Sequence, residues 1–169
     1  MTVAVFKAIS PKTLKVDVFR LEILNELRKE GTTQKQILAR TTTGWKNRPT
    51  FKSEISFDRQ VGAMVWTYPT GDQDAVDHWN WIDRGTPAHT ITARNYPTLV
   101  FQPGYTASTR NRTYSSGAAS RSGEIVRPKS VRHPGIAARE WSEDLSERRK
   151  RPFEERISGA MSRAAHKAF

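Results

Sequence analysis

The chain contains no cysteine among its 169 residues. This absence excludes disulfide bonds and every zinc site that is built on thiolate ligands. A protein without cysteine is compatible with the reducing cytoplasm, where disulfides are rare in any case.

Apolar residues are scarce and form no long runs. They make up 36% of the chain, against about 45–50% in average globular proteins, so we expect a small core that gains part of its order from partners. No stretch approaches the roughly 18 apolar residues of a transmembrane helix, so no membrane partner is expected. The segment from Met1 to Lys7 lacks the basic start and the long apolar core of a signal peptide.

Acidic residues are too few to balance the basic ones, and the formal net charge is +11. A field of this size bears on the choice of partner: nucleic acid, an acidic protein surface or an anionic membrane could each neutralise it. A basic run from Arg148 to Arg151 has acidic residues at helical spacing, which favours an ordinary solvated helix face. The candidates for contact with DNA or an acidic partner are Arg110, Arg112, Arg121, Arg127, Lys129 and Arg132.

Residues 104–123 contain no large aliphatic side chain and are predicted to form a long basic loop. A structureless stretch of this length is unusual inside a compact domain and favours a functional contact. Ordering it costs about 1 kcal/mol or more per residue in conformational entropy. We therefore expect the loop to be mobile in the monomer and to become ordered against a neighbouring subunit, a neighbouring ring or DNA.

Large aromatic side chains supply the other candidate contacts. Trp79 shares a helix face with Val76 and Ile82 and is predicted to be buried. Trp81 falls off that face and is a better candidate for an interface. The full set of interface candidates is Trp81, Tyr105, Tyr114 and Trp141.

Apolar spacing predicts a long helix near each end of the chain. The first begins at Ser10 and Pro11, which form a cap and a first turn, and continues past Gly31 to about Thr42 as one long or kinked element. The second covers residues 136–169, with a kink or a restart at Pro152. The inward positions are predicted to be Leu14, Val18, Leu21, Leu24 (or Ile23) and Leu27 in the first helix, and Leu145, Phe153, Ile157 and Met161 in the second.

Between these helices the apolar pattern alternates as in strands. Residues 51–57 and 61–68 are predicted to pair as a hairpin that turns at Asp58 and Arg59. A short helix then covers residues 74–82, and Gly85 ends it. Further strands are predicted at residues 89–94, 98–101 and 124–131, the last at a sheet edge because of Pro128.

Together these elements predict an α+β fold that forms a single domain over residues 1–169. Its small antiparallel sheet has about four or five strands and is packed by the long N-terminal and C-terminal helices. A short inserted helix and the long basic loop complete the expected architecture.

Chemical motifs are sparse in this sequence. The carboxylates of Asp72, Asp74 and Asp77 with His78 could share a helix face and hold a metal, which would allow a metal-dependent nuclease. A capped, acid-rich first helical turn beside a solvated histidine is the favoured interpretation of the same residues. No nucleophile motif or glycine-rich phosphate loop occurs. We therefore predict no catalytic residue, no metal and no cofactor, and a protein that is not an enzyme.

Three short motifs stand in a recognisable order along the chain. They are Thr43-Gly44-Trp45, Ile82-Asp83-Arg84-Gly85-Thr86 and His133-Pro134-Gly135. In this order and spacing the chain resembles the tail-component family of tailed bacteriophages, which includes tail-completion and neck proteins. The resemblance covers nearly the whole outline of helices and strands. The chain departs from the family pattern in lacking the proline turn before Thr-Gly and the Pro-Phe pair after His-Pro-Gly.

The resemblance implies a structural protein of the virion at the head–tail junction, made in the host cytoplasm. It implies a homo-oligomeric ring, commonly sixfold, around the channel through which the genome DNA passes. The implied neighbours are other neck and tail proteins, such as a tail terminator, a head-closure protein and the tail tube. From charge alone, a small basic nucleic-acid-binding protein is the alternative.

Overall fold

Three helices and two antiparallel sheets of two strands each form an α+β fold in the described part of the chain. The computed structural model describes residues 16–58, 62–115, 117 and 119–168. The elements are α1 (Val16–Thr41), β1 (Thr50–Asp58), β2 (Gly62–Thr70), α2 (Gln73–Arg84), β3 (His89–Thr92), β4 (Ser130–His133) and α3 (Trp141–Ala168). The predictions for a helix start at Ser10, for an inward Leu14 and for a turn at Arg59 lie outside these residues.

The first helix runs continuously through Gly31, and a strand of the hairpin passes close beside it at that point. A Cβ atom at Gly31 would lie 2.6 Å from the Oγ atom of Ser53 and 3.4 Å from a methyl carbon of Val65. Any larger residue would therefore push α1 away from the hairpin. The hydroxyl of Thr67 also donates to the side chain of Gln34 at 2.8 Å, which fixes the same contact.

The predicted hairpin is confirmed, and it is slightly longer than the apolar pattern suggested. β1 and β2 pair over their full length, from Thr50 opposite Thr70 to Asp58 opposite Gly62. One face of the hairpin packs against α1. On the other face the indole of Trp66 is exposed and donates to the hydroxyl of Ser56 at 3.0 Å.

α1 and α3 pack antiparallel and are joined by a ladder of ion pairs. Glu30 accepts two hydrogen bonds from Arg149, at 3.0 and 2.8 Å, and is also paired with Arg156. One helical turn apart along α1, Glu26 is paired with Arg163, and Glu22 with Arg163 and Lys167. The carboxylate of Glu30 is buried, so these cations replace the water that it would otherwise bind.

The core lies where the end of α1, the second helix and the start of α3 meet. Trp79 and Trp141 pack with their ring centroids 5.9 Å apart, beside Leu38 and Leu145. The indole of Trp79 donates to the hydroxyl of Thr41 at 3.0 Å, so its polar atom is satisfied in the core.

The inward positions of the last helix differ in part from the predicted ones. Leu145 is buried as expected, but Met161 is half exposed. The residues buried against α1 are Ala160 and Ala164, since the close approach of the two helices leaves room only for small side chains. The helix runs through Pro152 as one element.

The described residues contain two separate two-stranded sheets and not the single sheet of four or five strands that we expected. Residues 98–101 and 124–129 form no strand pair: they are joined by an isolated bridge between Phe101 and Val126 and by a hydrogen bond from Leu99 to Pro128, and β4 begins only at Ser130. Pro128 has no N–H to donate, which interrupts the ladder before that point.

The last helix begins at Trp141 and not at residue 136, because Gly135 and Glu140 have positive φ angles of 88° and 55°.

Replacing Glu30 with glutamine should reduce the sensitivity of the fold to acid. Burial alone would raise the pKa of Glu30, but hydrogen bonds from Arg149 and Gln34 and the charges of Arg149 and Arg156 outweigh it and lower the pKa. Such a carboxylate stabilises the fold fully above its unfolded pKa, about 4.3, and this stabilisation is lost as the pH falls through the folded pKa. We expect the wild type to lose more unfolding free energy than Glu30→Gln below about pH 4.3.

Urea unfolding at a series of pH values measures this difference. Glu143→Gln is the matched control, because Glu143 is exposed and has no ion pair with a described residue. The control should show the acid sensitivity of the wild type. If Glu30→Gln does so as well, the ion pairs of Glu30 contribute nothing to the acid sensitivity of the fold.

Candidate interaction site

A long two-stranded arm, residues 86–136, leaves the helical core between α2 and α3. Its two segments run antiparallel from the bridge of Thr86 with Ile136, through β3 and β4, to the bridge of Thr106 with Ser120. We call residues 86–106 and 120–136 the shaft of the arm, and the described residues between them (107–115, 117 and 119) its tip. This segment contains the predicted basic loop, and its hydrogen-bonded shaft extends well into residues 104–123.

Two of the three sequence motifs meet at the base of the arm. Thr86 and Ile136 exchange backbone hydrogen bonds of 2.9 and 3.1 Å, which brings Gly85 and Gly135 to the same place. Both glycines have positive φ, 75° and 88°. A Cβ atom at Gly85 would lie 2.7 Å from the carbonyl oxygen of Ile136, and one at Gly135 would overlap that of Thr86. Glycine is required at both positions by conformation and by space.

The histidine of the His-Pro-Gly motif stabilises the same base. The Nδ1 atom of His133 accepts a hydrogen bond of 3.0 Å from the backbone N–H of Gly135, so in this arrangement Nδ1 carries no proton. Its ring lies beside that of His89, directly opposite on the neighbouring strand, with centroids 5.0 Å apart. The motif therefore shapes the turn from the arm into the last helix.

Asp83, the acidic residue of the second motif, caps the last helix from the end of α2. Its carboxylate accepts hydrogen bonds from the backbone N–H groups of Trp141 and Ser142 at 2.6 and 3.1 Å, and from the hydroxyl of Ser142 at 2.6 Å. The side chain is buried. A carboxylate at a helix N-terminus satisfies its free N–H groups and interacts favourably with the helix dipole. The sequence had shown this residue within a motif, but it gave no sign of this role.

The tip of the arm curls back and docks on the first turns of α3. The indole of Trp141 donates to the carbonyl oxygen of Thr113 at 2.9 Å, and the backbone N–H of Arg112 donates to Arg139 at 2.8 Å. The hydroxyl of Tyr114 donates to Asp144 at 2.7 Å. These contacts anchor the tip within one chain, contrary to our expectation of a loop that is ordered only by a partner.

Tyr114 and Arg112 thus serve the fold of this chain. Burial, together with the hydrogen bond to Asp144, raises the pKa of Tyr114 well above its usual range, so the phenol stays a donor. Arg112 donates to Glu140 at 3.0 Å and to Glu147 at 3.1 Å, and its pKa is raised, chiefly by the bond to Glu140. Neither side chain is free for a partner in this arrangement.

The remaining interface candidates differ in how far their side chains are exposed. Trp141 is fully buried in the core. This burial removes it from the candidate interface, because its ring has no surface to offer a partner. Trp81 is 54% exposed on α2 and Tyr105 is 60% exposed on the arm, so both remain accessible.

Apolar and cationic side chains are exposed along the shaft of the arm. Tyr96, which sequence reasoning had not selected, is the most exposed of the large hydrophobic residues described, at 78%. The other exposed apolar residues of the arm are Ile91, Val100, Tyr105, Ile125 and Val126. Its exposed cations are Arg94, Arg110, Arg112, Arg121, Arg127, Lys129 and Arg132.

The possible metal ligands near the start of α2 take separate structural roles. Asp72 caps the helix by accepting from the N–H of Ala75 at 3.1 Å, and hydrogen bonds from Asn47 and that N–H lower its pKa. Asp77 accepts from Gln73 at 2.7 Å, and the ring of His78 stacks on Trp45. Within the described residues, no three histidine or acidic side chains are grouped as metal ligands.

No helix in the described part of the chain combines the length and the apolar character needed to cross a bilayer. No model of a known protein family, no curated protein and no solved structure matches the chain.

Gly135→Ala should destabilise the fold more than Gly44→Ala, although both glycines have nearly the same φ, 88° and 87°. Nothing lies within 4 Å of a Cβ atom at Gly44, so that substitution carries only the conformational cost, about 1–2 kcal/mol. At Gly135 the overlap with Thr86 adds about 1–3 kcal/mol. Urea unfolding of both variants measures the difference, and equal losses would mean that the base of the arm is not tightly packed.

Tyr114→Phe should release the tip from α3, while Tyr105→Phe should not. Removing the Tyr114 hydroxyl leaves the buried Asp144 without one of its donors, at a cost of about 1.5–3 kcal/mol for a hydrogen bond to a charged group. The described contacts of Tyr105 include no hydrogen bond from its hydroxyl. Amide hydrogen exchange at residues 109–115 should accelerate in the first variant only. Unchanged exchange in both would show that the phenol does not anchor the tip.

Proposed function

We propose that this protein is a structural component of the virion of a tailed bacteriophage, placed at the head–tail junction. It assembles there as a homo-oligomeric ring, commonly sixfold, around the DNA channel and joins the tail to the head. Its proposed partners are further copies of itself, the tail terminator, the head-closure protein, the tail tube and the genome DNA. It acts through assembly and not through catalysis.

The motif resemblance supports this proposal, because its residues have defined roles in one place. Asp83, Gly85 and Gly135 together form the junction from which the arm departs and the last helix begins. Motifs that shape such a junction are what a family of related assembly proteins would share.

The exposed arm is the observation that carries the proposal. Its shaft combines exposed apolar residues such as Tyr96, Val100 and Ile125 with exposed cations. Apolar patches of this kind with polar surroundings are typical of protein–protein contacts. A ring needs two different surfaces on each subunit that meet head to tail, and the arm supplies one of them.

The broader sheet predicted from the sequence belongs to the same proposal. β1 and β2 pair only with each other among the described residues, so each has an open edge. Open edges are sites where a strand of another chain can add. In the ring, the sheet of four or five strands forms by such pairing between subunits.

Deletion of the gene should leave filled heads and complete tails that do not join, and the protein should be present in purified wild-type particles. Electron microscopy of lysates and mass spectrometry of purified virions measure the two outcomes. Complementation with the wild-type gene is the positive control. A variant with both Trp81→Ala and Tyr105→Ala should fold normally, since both side chains are exposed, and should complement less well.

Absence of the protein from purified virions, with normal particles in the deletion strain, would exclude the virion role. That result together with tight binding to free DNA would favour the alternative, a small nucleic-acid-binding protein. The net charge of +11 supports this alternative.

A further inference from the structure

Some cations of this protein have an acidic partner within the chain, and others have none among the described residues. On the helices, basic residues such as Arg149 and Arg163 are paired with glutamates of α1. On the arm the situation is different, because Glu124 is the only acidic residue between Gly85 and Arg139. The arm therefore has almost no internal counter-charge.

Ion pairing shows which cations of the arm are available to a partner. Arg112 is committed to Glu140 and Glu147 and lies 4.0 Å from Asp144. The others have no ion pair with any acidic side chain of the described residues; they are Arg94, Arg110, Arg121, Arg127, Lys129 and Arg132. The available set thus includes Arg94 and excludes Arg112, in contrast to the set selected from sequence.

Apart from Arg110, which lies on the tip, these cations follow the length of the shaft and do not surround a pocket. Arg132 lies on β4 opposite Thr90, near the base. Lys129 accepts through its backbone carbonyl from Ala93, next to Arg94, in the middle of the shaft. Arg121 follows the last bridge, between Thr106 and Ser120, at the far end. Exposed Tyr96 and Tyr105 lie between them along the chain.

We propose that the shaft of the arm binds the phosphate backbone of nucleic acid without reading its sequence. An extended row of cations matches a continuous line of phosphates, and each contact releases counterions. Exposed tyrosines beside such a row give base or sugar contacts that tolerate any sequence. A second copy of the chain carries the same +11 net charge, so nucleic acid is the better electrostatic match for this row of cations. The inference concerns the free chain and does not depend on the proposed virion role.

The full-length protein with a labelled DNA duplex of mixed sequence tests the proposal by fluorescence anisotropy between about 50 and 200 mM salt. The arm variant carries Arg94→Gln, Arg121→Gln, Arg127→Gln and Lys129→Gln. The charge-matched control carries Arg20→Gln, Arg40→Gln, Arg48→Gln and Lys52→Gln, at four exposed positions outside the arm that have no ion pair with a described residue. Both variants lose the same net charge, so they separate a site on the arm from a general attraction.

We expect the arm variant to bind at least about tenfold more weakly, and the slope of log K against log salt to decrease by up to about 3–4. The control should change the slope by less than about 1. Equal losses in both variants would overturn the proposal, and so would a wild type that does not bind duplex at low salt. Competition by polyglutamate as effective as that by DNA would also overturn it, in favour of an acidic protein partner. Thermal unfolding of each variant confirms that the fold is unchanged.

Discussion

The rest of the described fold depends on the junction between α2 and α3, and the carboxylate of Asp83 stabilises this junction. It is buried at the end of α2 and accepts three hydrogen bonds from Trp141 and Ser142, the first two residues of α3. Without it, the free N–H groups of that helix would be buried with no acceptor, which is more costly than leaving them in water. The cap thus fixes where the last helix begins, and with it the burial of Trp141.

The position of this helix cap determines where both the core and the arm lie. With α3 fixed at its first turn, its arginines meet the glutamates of α1, and α1 in turn packs on the hairpin. The chain between Asp83 and Trp141 must leave and return through the same narrow base. Only glycine at positions 85 and 135 allows the two segments to approach closely enough there. The arm is therefore a rigid extension at its base, and its direction is set by the core.

The elements that sequence alone predicted well are those with local signals. The hairpin followed from period-two alternation, and the end of α2 from Gly85. The docking of the arm tip could not be predicted in the same way. It depends on Thr113 and Tyr114 meeting Trp141 and Asp144, almost thirty residues away in sequence. The role of Asp83 escaped prediction for the same reason, since its partners lie 58 and 59 residues further along the chain.

The contacts that stabilise the fold also determine which charges of the protein are neutralised within the chain. The buried carboxylates of α1 and α3, such as Glu30 and Asp144, are paired within the molecule, because a buried carboxylate requires cations or N–H donors close by. The arm has one acidic residue, so the charge of its cations is almost uncompensated along its length. An arm that is held rigidly at its base and anchored at its tip presents that charge on a fixed line. On the nucleic-acid proposal above, a partner with a regular array of negative charges would bind this line without the cost of ordering a flexible chain.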